Sequence, residues 1–310
     1  ITEIEERRYV TDDLVTSDIA HLAAEEAITS AGIDKEQLDY IIVAHNFGDV
    51  KHGSNRTDMV PSLAARVKHK LQIDNPGTIA YDLPFGCPGW LQAVIQADYY
   101  IRSGDAKKIM VIGAETLSRV SDPHDRDSMI YADGAGATIL EAKESEKPTG
   151  ILSHNTRSDT KVYSQMLYMD KSYNPAQKDQ GDIFLKMQGR KLYQYALTNV
   201  PHAIKGCLDK GDLSIDDVNH ILIHQANGKM DSAIIERLYK LYDKEEVPKD
   251  VMPMIISWLG NSSVATIPTL LDLIWKDKLE GYDINKGKDG VLVFASVGAG
   301  MNINALAYRM

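Results

Sequence analysis

Residues 33–43, IDKEQLDYIIV, and residues 213–223, LSIDDVNHILI, follow one pattern at a constant spacing of 180 positions. Each is a short acidic turn followed by an apolar run that reads as a buried strand. A pattern that recurs once at such a distance marks an internal duplication, and it restricts the chain to folds that contain two copies of one unit. A length of 310 residues agrees with one large body made of two halves.

The rest of the chain reads as strands and helices in alternation. Thr16-Ser17-Asp18 caps a helix expected over 17–31 and stopped by Gly32. Next come a strand at 40–44, a helix at 59–71 with Pro61 near its start, and a strand at 78–82. The turn Pro84-Phe85-Gly86-Cys87-Pro88-Gly89 leads into a helix at 90–103, followed by a strand at 108–114, a charged loop at 121–127 and a strand at 138–142. Residues 141–147 are the most linker-like. Beyond them the order recurs: a strand-like segment at 150–154, a helix at 187–208, strands at 220–224, 254–257 and 291–295, and helices at 229–241 and 265–279 between them. Two such βα units imply two helix-covered sheets, with chemistry gathered at the carboxyl ends of strands. The halves are expected to divide as 1–147 and 148–310.

Charge and cysteine usage narrow the function. With 34 Lys+Arg against 44 Asp+Glu the net charge is 34 − 44 = −10, which repels a phosphate backbone and disfavours nucleic acid as a partner. No apolar run reaches the roughly 18 residues of a membrane span, and the first ten residues lack the pattern of a signal peptide, so no membrane is expected and the cytoplasm is the expected location. Two cysteines, Cys87 and Cys207, are too few for a disulfide framework or a cysteine-built zinc site.

Cys87 stands between a predicted strand and a predicted helix, near unpaired N–H groups and the positive end of a helix dipole, a placement expected to favour the thiolate. Cys207, late in a helix, reads as an inert core thiol. His224 ends an apolar strand, and its ring should emerge at a carboxyl edge. Asn261 lies in a turn between a predicted strand and helix, where alone it would be read as a helix cap. A cysteine, a histidine and an asparagine at the strand ends of two duplicated halves form a nucleophile with two polar partners.

The chain resembles the β-ketoacyl-acyl carrier protein synthase III group of thiolase-like condensing enzymes. The resemblance spans essentially the whole sequence. It rests on Glu6-Arg7-Arg8, Gly86-Cys87-Pro88-Gly89, Asp122-Pro123 through Arg126, Asp133-Gly134-Ala135-Gly136-Ala137, His224-Gln225-Ala226-Asn227, Gly260-Asn261-Ser262-Ser263 and Gly298-Ala299-Gly300. It implies an α/β thiolase-like fold, two duplicated βαβαβαββ halves forming a five-layer αβαβα body. It implies decarboxylating Claisen condensation of an acyl-CoA primer with malonyl-acyl carrier protein, without a cofactor or metal. By resemblance Cys87 is the acyl-accepting nucleophile, and His224 with Asn261 holds the malonyl thioester carbonyl during decarboxylation. The backbone N–H groups of Cys87 and Ala299 form the oxyanion site. Arg126 matches a coenzyme A contact, Lys229 a carrier-protein contact, and the family assembles as homodimers, with residues 78–82 pairing across the axis.

Pro88 and Ala299 depart from the usual motifs, and the loop from Asn46 to Met59 looks longer than in housekeeping fatty-acid enzymes, which leaves the primer open. Asp122, His124, Asp125 and Asp127 read as a solvated turn in preference to a metal site. The stripe Tyr193, Tyr195, Leu197 reads as helix packing. The enzymatic rivals are acyl transfer without decarboxylation and a cysteine hydrolase, which also uses Cys, His and Asn in that order. Aligned by the resemblance, the chain starts after an opening strand and helix, so roughly 35 to 45 upstream residues are expected, and without that strand the first sheet would expose an edge.

Overall fold

The computed structural model describes residues 2–177, 181–284 and 290–310. In chain order the elements of the first half are α1 (Thr16–Ala31), β1 (Tyr40–His45), β2 (Asp49–Val50), β3 (Thr57–Asp58), α2 (Leu63–Lys70), β4 (Ile79–Pro84), α3 (Gly89–Ser103), β5 (Lys108–Thr116) and β6 (Asp133–Glu141). Then follow β7 (Gly150–Ser158), α4 (Thr160–Tyr163), β8 (Leu167–Lys171), β9 (Ile183–Met187), α5 (Gly189–Lys210), β10 (Val218–Ile223), α6 (Gly228–Lys240), α7 (Ile256–Leu259), α8 (Thr266–Trp275), β11 (Val291–Gly298) and β12 (Asn302–Arg309).

The strands form two four-stranded sheets, ordered β4-β1-β5-β6 and β10-β11-β12-β7, and two small hairpins, β2-β3 and β8-β9. The period-2 alternation of a strand shows how the layers stack. Ile41 and Val43 of β1, with Met110 and Ile112 of β5, pack on α1 and α2. Ile42, Ile109 and Val111 point the other way, to a layer of α3 and α8 shared with Leu222, Leu292 and Phe294 of the second sheet. Ile221, Ile223, Val291 and Val293 then face α5 and α6. The stack is helix, sheet, helix, sheet, helix, as the thiolase-like fold requires. The inner strands β1, β5 and β11 are buried on both faces and are continuous apolar runs.

The repeat survives in detail. A 3-10 turn over Lys35–Gln37 is capped by Asp34, whose side chain accepts from the Glu36 N–H, and its counterpart over Ile215–Asp217 is capped by Ser214, which accepts from the Asp216 N–H. Both turns deliver the chain into the parallel strands β1 and β10.

Three local expectations are corrected. Residues 254–257 do not form a strand. Gln225 reaches into this stretch, donating to the Pro253 carbonyl (2.9 Å) and accepting from the Ile255 N–H (2.9 Å), so a side chain takes the place of a backbone ladder and α7 follows. The last strand of the first sheet begins at Asp133, well before residue 138, because Gly134 and Gly136 are strand residues made small by close packing. A Cβ on Gly136 would lie 2.8 Å from Pro268 Cβ, and one on Gly134 3.1 Å from Ser262 Cβ. The helix expected over 59–71 starts only at Leu63, capped by Ser62, whose hydroxyl accepts from Ala65 N–H, after the cis bond at Val60-Pro61.

The charged loop is only partly solvated: His124 is exposed, but Asp122 and Asp125 are buried. Asp122 is fully buried and accepts from Lys186 Nζ (2.5 Å), Tyr173 N–H (2.8 Å) and Ser172 Oγ (3.0 Å); Lys186, also fully buried, bonds Asp125 (3.1 Å) as well. Hairpin β8-β9 thus clamps the loop from beneath, a partner the loop's own sequence does not contain. Burial pushes the Asp122 carboxyl up, but the Lys186 ammonium and the two backbone N–H groups of His124 and Tyr173 outweigh it and hold it well below the usual carboxylate range. Tyr195 and Leu197, as expected, pack into the core of the second half.

In the second sheet β12 is covered by β7, whereas among the described residues no strand lies beyond β6 in the first. A cavity of about 1330 Å³ opens along β6, lined by Leu22, Leu91, Val94, Ile139 and Leu271 among others.

The two halves meet at Gly113 of β5, where an added Cβ would stand 2.3 Å from the Val264 carbonyl oxygen. Gly113→Ala is expected to cost about 3 kcal/mol, the upper part of the overpacking range. Urea unfolding should show a lower midpoint with an unchanged slope; an unchanged midpoint would contradict the contact.

Candidate active site

Cys87 sits in the turn between β4 and α3, and two glycines let the second half close over it. Gly86 has φ +69°, in the left-handed region, and an added Cβ there would lie 2.9 Å from Ala299 N. A Cβ on Gly298 would lie 2.6 Å from Cys87 N and 2.9 Å from Cys87 Cβ. The Gly86-Cys87 turn of the first half and the Gly298-Ala299 turn of the second are thereby packed against each other. Gly298 pairs with Asn302 at the tip of the β11-β12 hairpin, Gly300 turns there at φ +77°, and Asn302 Nδ2 fixes the Ala299 carbonyl (2.9 Å).

His224 follows β10 directly, and its N–H bonds the Ala295 carbonyl of β11 (2.8 Å), three residues before Gly298. The ring is buried, its Nδ1 has no partner among the described residues, and burial lowers the imidazole to about 4. His224 is therefore neutral through the physiological range, with one N–H to donate.

Asn261 lies between α7 and α8, not after a strand as expected. Its backbone is clasped by the loop before β6, Asn261 N–H to the Ile130 carbonyl (3.0 Å) and Ala132 N–H to the Asn261 carbonyl (2.8 Å). Its side-chain Oδ1 accepts from the Ser263 N–H (2.8 Å), so the amide is held in place. Ser263, at φ +53°, donates its hydroxyl to Cys87 Sγ (3.3 Å). The chain from Asn261 to Ser263 thus ties the second half to the thiol.

Burial works against the thiolate that the turn before α3 was expected to favour. It pushes the Cys87 thiol up to about 11 and the nearby Glu115 carboxylate adds to this, against the Ser263 hydrogen bond that lowers it. Desolvation outweighs the helix end here. Cys207 is buried in the core of the second half, its thiol also raised by burial.

Arg126 opens a 3-10 turn and Lys229 is the second residue of α6; both side chains are exposed, and neither touches Cys87. Three residues beside the thiol were not singled out from sequence: Ser263, Asn46 and Glu115. The one signal was a carboxylate at Glu115 closing the apolar run of β5, which marks it for burial. Among the described residues no cluster of three or more metal-ligating side chains is present, and no helix is long and apolar enough to cross a membrane.

Known proteins share the family and the fold of this chain. Residues 81–160 match the family described as 3-oxoacyl-[acyl-carrier-protein (ACP)] synthase III, and residues 208–310 match its C-terminal counterpart. The chain is 34% identical to the β-ketoacyl-[acyl-carrier-protein] synthase III of Ehrlichia ruminantium, covering 100% of this chain and 88% of the relative, and 32% identical to that of Staphylococcus aureus with the same coverage. Among solved structures, the 3-oxoacyl-[acyl-carrier-protein] synthase III of Aquifex aeolicus superposes with a TM-score of 0.80 at 28% identity, covering 100% of this chain and 89% of that one. The priming β-ketosynthase of the R1128 polyketide pathway gives 0.82 at 26%, covering 99% and 85%. The fold and these kinships leave the cysteine-hydrolase reading without support.

Proposed function

The chain belongs to the β-ketoacyl-[acyl-carrier-protein] synthase III family, an acyl-transferring group of condensing enzymes, and from that premise we propose that Cys87 carries the primer. The observation that supports this most is the close approach of Gly298 to Cys87 and of Ala299 to Gly86, which packs the Gly298-Ala299 turn of the second half against the turn that carries the thiol. The thiol adds to the thioester carbonyl of an acyl-CoA; coenzyme A leaves as the thiol, taking the Cys87 proton, and an acyl-cysteine remains. Malonyl-acyl carrier protein then loses carbon dioxide, and the enolate carbon attacks the acyl carbon while the Cys87 sulfur departs. His224 and Asn261 donate to the enolate oxygen, and the Cys87 and Ala299 N–H groups hold the tetrahedral oxyanion.

A neutral His224 fits that role, because an N–H donor is needed and no proton need be taken up. Substitution of His224 or Asn261 by alanine is expected to slow malonyl decarboxylation by about 10² to 10³ and to leave acylation of Cys87 within a few-fold. Release of labelled carbon dioxide and the rate of acyl loading measure the two steps separately. Loading that collapses while decarboxylation persists would reverse the assignment. An acyl adduct with no carbon dioxide release from malonyl thioester would assign plain acyl transfer instead.

The halves 1–147 and 148–310 contribute the nucleophile and the His-Asn pair respectively. Coenzyme A is bound with the help of Arg126, and acyl carrier protein docks at Lys229. An acidic enzyme needs a local cation to draw in an acidic carrier. Lys229→Glu should raise KM for the carrier about tenfold and leave acyl-CoA loading nearly unchanged; equal loss in both steps would refute a docking role. The enzyme works in the cytoplasm as a homodimer, a reading supported by its family and by β4, an outer strand of its sheet with Ile79 left exposed.

A further inference from the structure

A second line of polar contacts leads to the thiol from the first half. Asn46, one residue beyond β1, donates its backbone N–H to Glu115 Oε2 (3.0 Å) and its Nδ2 to the same oxygen. The same Nδ2 also donates to Ser263 Oγ (3.1 Å), and Ser263 Oγ donates to Cys87 Sγ (3.3 Å). Glu115 is fully buried at the end of β5. Direction follows from chemistry alone. An amide nitrogen has two protons and no acceptor capacity, so Ser263 Oγ accepts from Asn46 with a lone pair. The only hydroxyl proton of Ser263 is then free to point at sulfur. Burial pushes the Glu115 carboxyl up to about 7; above that pH, where Cys87 titrates, a flipped Asn46 would set Oδ1 against the ionised carboxylate, an acceptor facing an acceptor, so the carboxylate locks the amide. Ser263 is held from the other side by the Asn261 side chain.

We propose that Asn46, locked by Glu115, is a positioning residue that turns the Ser263 hydroxyl toward Cys87 Sγ and so stabilises the thiolate through which the nucleophile must pass. The proposal rests on the reading of Cys87 as the acyl-accepting residue. It gives Asn46 a task in the first half that matches the task of Asn261 in the second: each fixes Ser263 by one hydrogen bond. Glu115 acts on the thiol in two opposed ways, repelling the thiolate directly and favouring it through Asn46 and Ser263.

A double-mutant cycle separates these effects. The pH dependence of Cys87 alkylation by iodoacetamide reports the thiol pKa in the native enzyme, in Asn46→Ala, in Ser263→Gly and in the double variant. Glycine is chosen at 263 because it accepts a φ of +53° without strain. Glu115 and Tyr131, the titratable groups that act on Cys87 or are acted on by it, are present in all four proteins, so their direct effects cancel in the cycle. Each single variant should raise the alkylation pKa by on the order of one unit, a tenfold loss of thiolate. In the Ser263→Gly background, Asn46→Ala should add almost nothing. Equal effects of Asn46→Ala in both backgrounds, or no effect in either, would overturn the proposal. Melting temperatures and the pKa in Ser263→Gly alone guard against misfolding at Asn46, since loss of the serine must raise the pKa whether or not Asn46→Ala folds. Failure of the acyl-carrier reading would appear elsewhere, as an unmodified mass after exposure to acyl-CoA, and would leave the alkylation cycle intact.

Discussion

Lys186→Met should destabilise the protein by about 3 to 5 kcal/mol at neutral pH, the cost of leaving buried carboxylates without their cation. Methionine matches the lysine stem in volume, so the loss reads the charge and not a cavity. Asp122 and Asp125 both depend on Lys186, and the Tyr173 ring lies over its ammonium at 3.7 Å. The pH dependence has a definite sign. The Asp122 carboxyl is depressed in the folded state, so its contribution is present above the ordinary carboxylate value of 3.8 and is lost as pH falls toward the folded value. In Lys186→Met the carboxyl can instead take up a proton, so the penalty should shrink as pH falls from 7 toward 4. Urea unfolding at both pH values measures this, and a penalty equal at pH 7 and pH 4 would contradict the ion-pair account. Adding Asp122→Asn to Lys186→Met should recover part of the loss by removing the stranded charge. Since this clamp supports the loop whose residues Ile130 and Ala132 clasp Asn261, the variant should also weaken decarboxylation.

Cys87→Ala should lower condensation by at least about 10³-fold, because removal of a covalent nucleophile cannot be compensated by the remaining polar groups. Decarboxylation of malonyl thioester should persist to a measurable extent, since His224 and Asn261 remain. Steady-state condensation and carbon dioxide release, followed in the same protein, separate the two. Condensation retained within tenfold would remove Cys87 from the mechanism.

The architecture was readable where physics is local. Strands buried on both faces show as apolar runs, and the acidic turns before β1 and β10 repeat because each caps a 3-10 turn with its own Asp34 or Ser214. Expectations failed where the deciding partner lies far along the chain. Asp122 looked solvated because Lys186 is 64 residues away. Residues 254–257 looked like a strand because nothing in them reveals that Gln225 takes their hydrogen bonds. The strand expected at 138–142 omits Asp133 through Ala137 because glycines in a strand are uncommon, yet Gly136 is needed where Pro268 presses on β6. At the site, the places of Cys87 and His224 directly after strands were legible, whereas Asn261 was expected after a strand that does not form. The thiol's resting state was not, since burial is a tertiary property, and neither was the path from Glu115 through Asn46 to Ser263, which joins three separate stretches of sequence.

The central claim, an acyl group carried on Cys87, is tested most directly by intact-mass analysis with peptide mapping after exposure to a panel of acyl-CoAs. One acyl adduct per chain is expected, located on the peptide containing Cys87, released by malonyl-acyl carrier protein and absent from Cys87→Ala. An adduct that forms equally in Cys87→Ala, or that maps to any other residue, would contradict it.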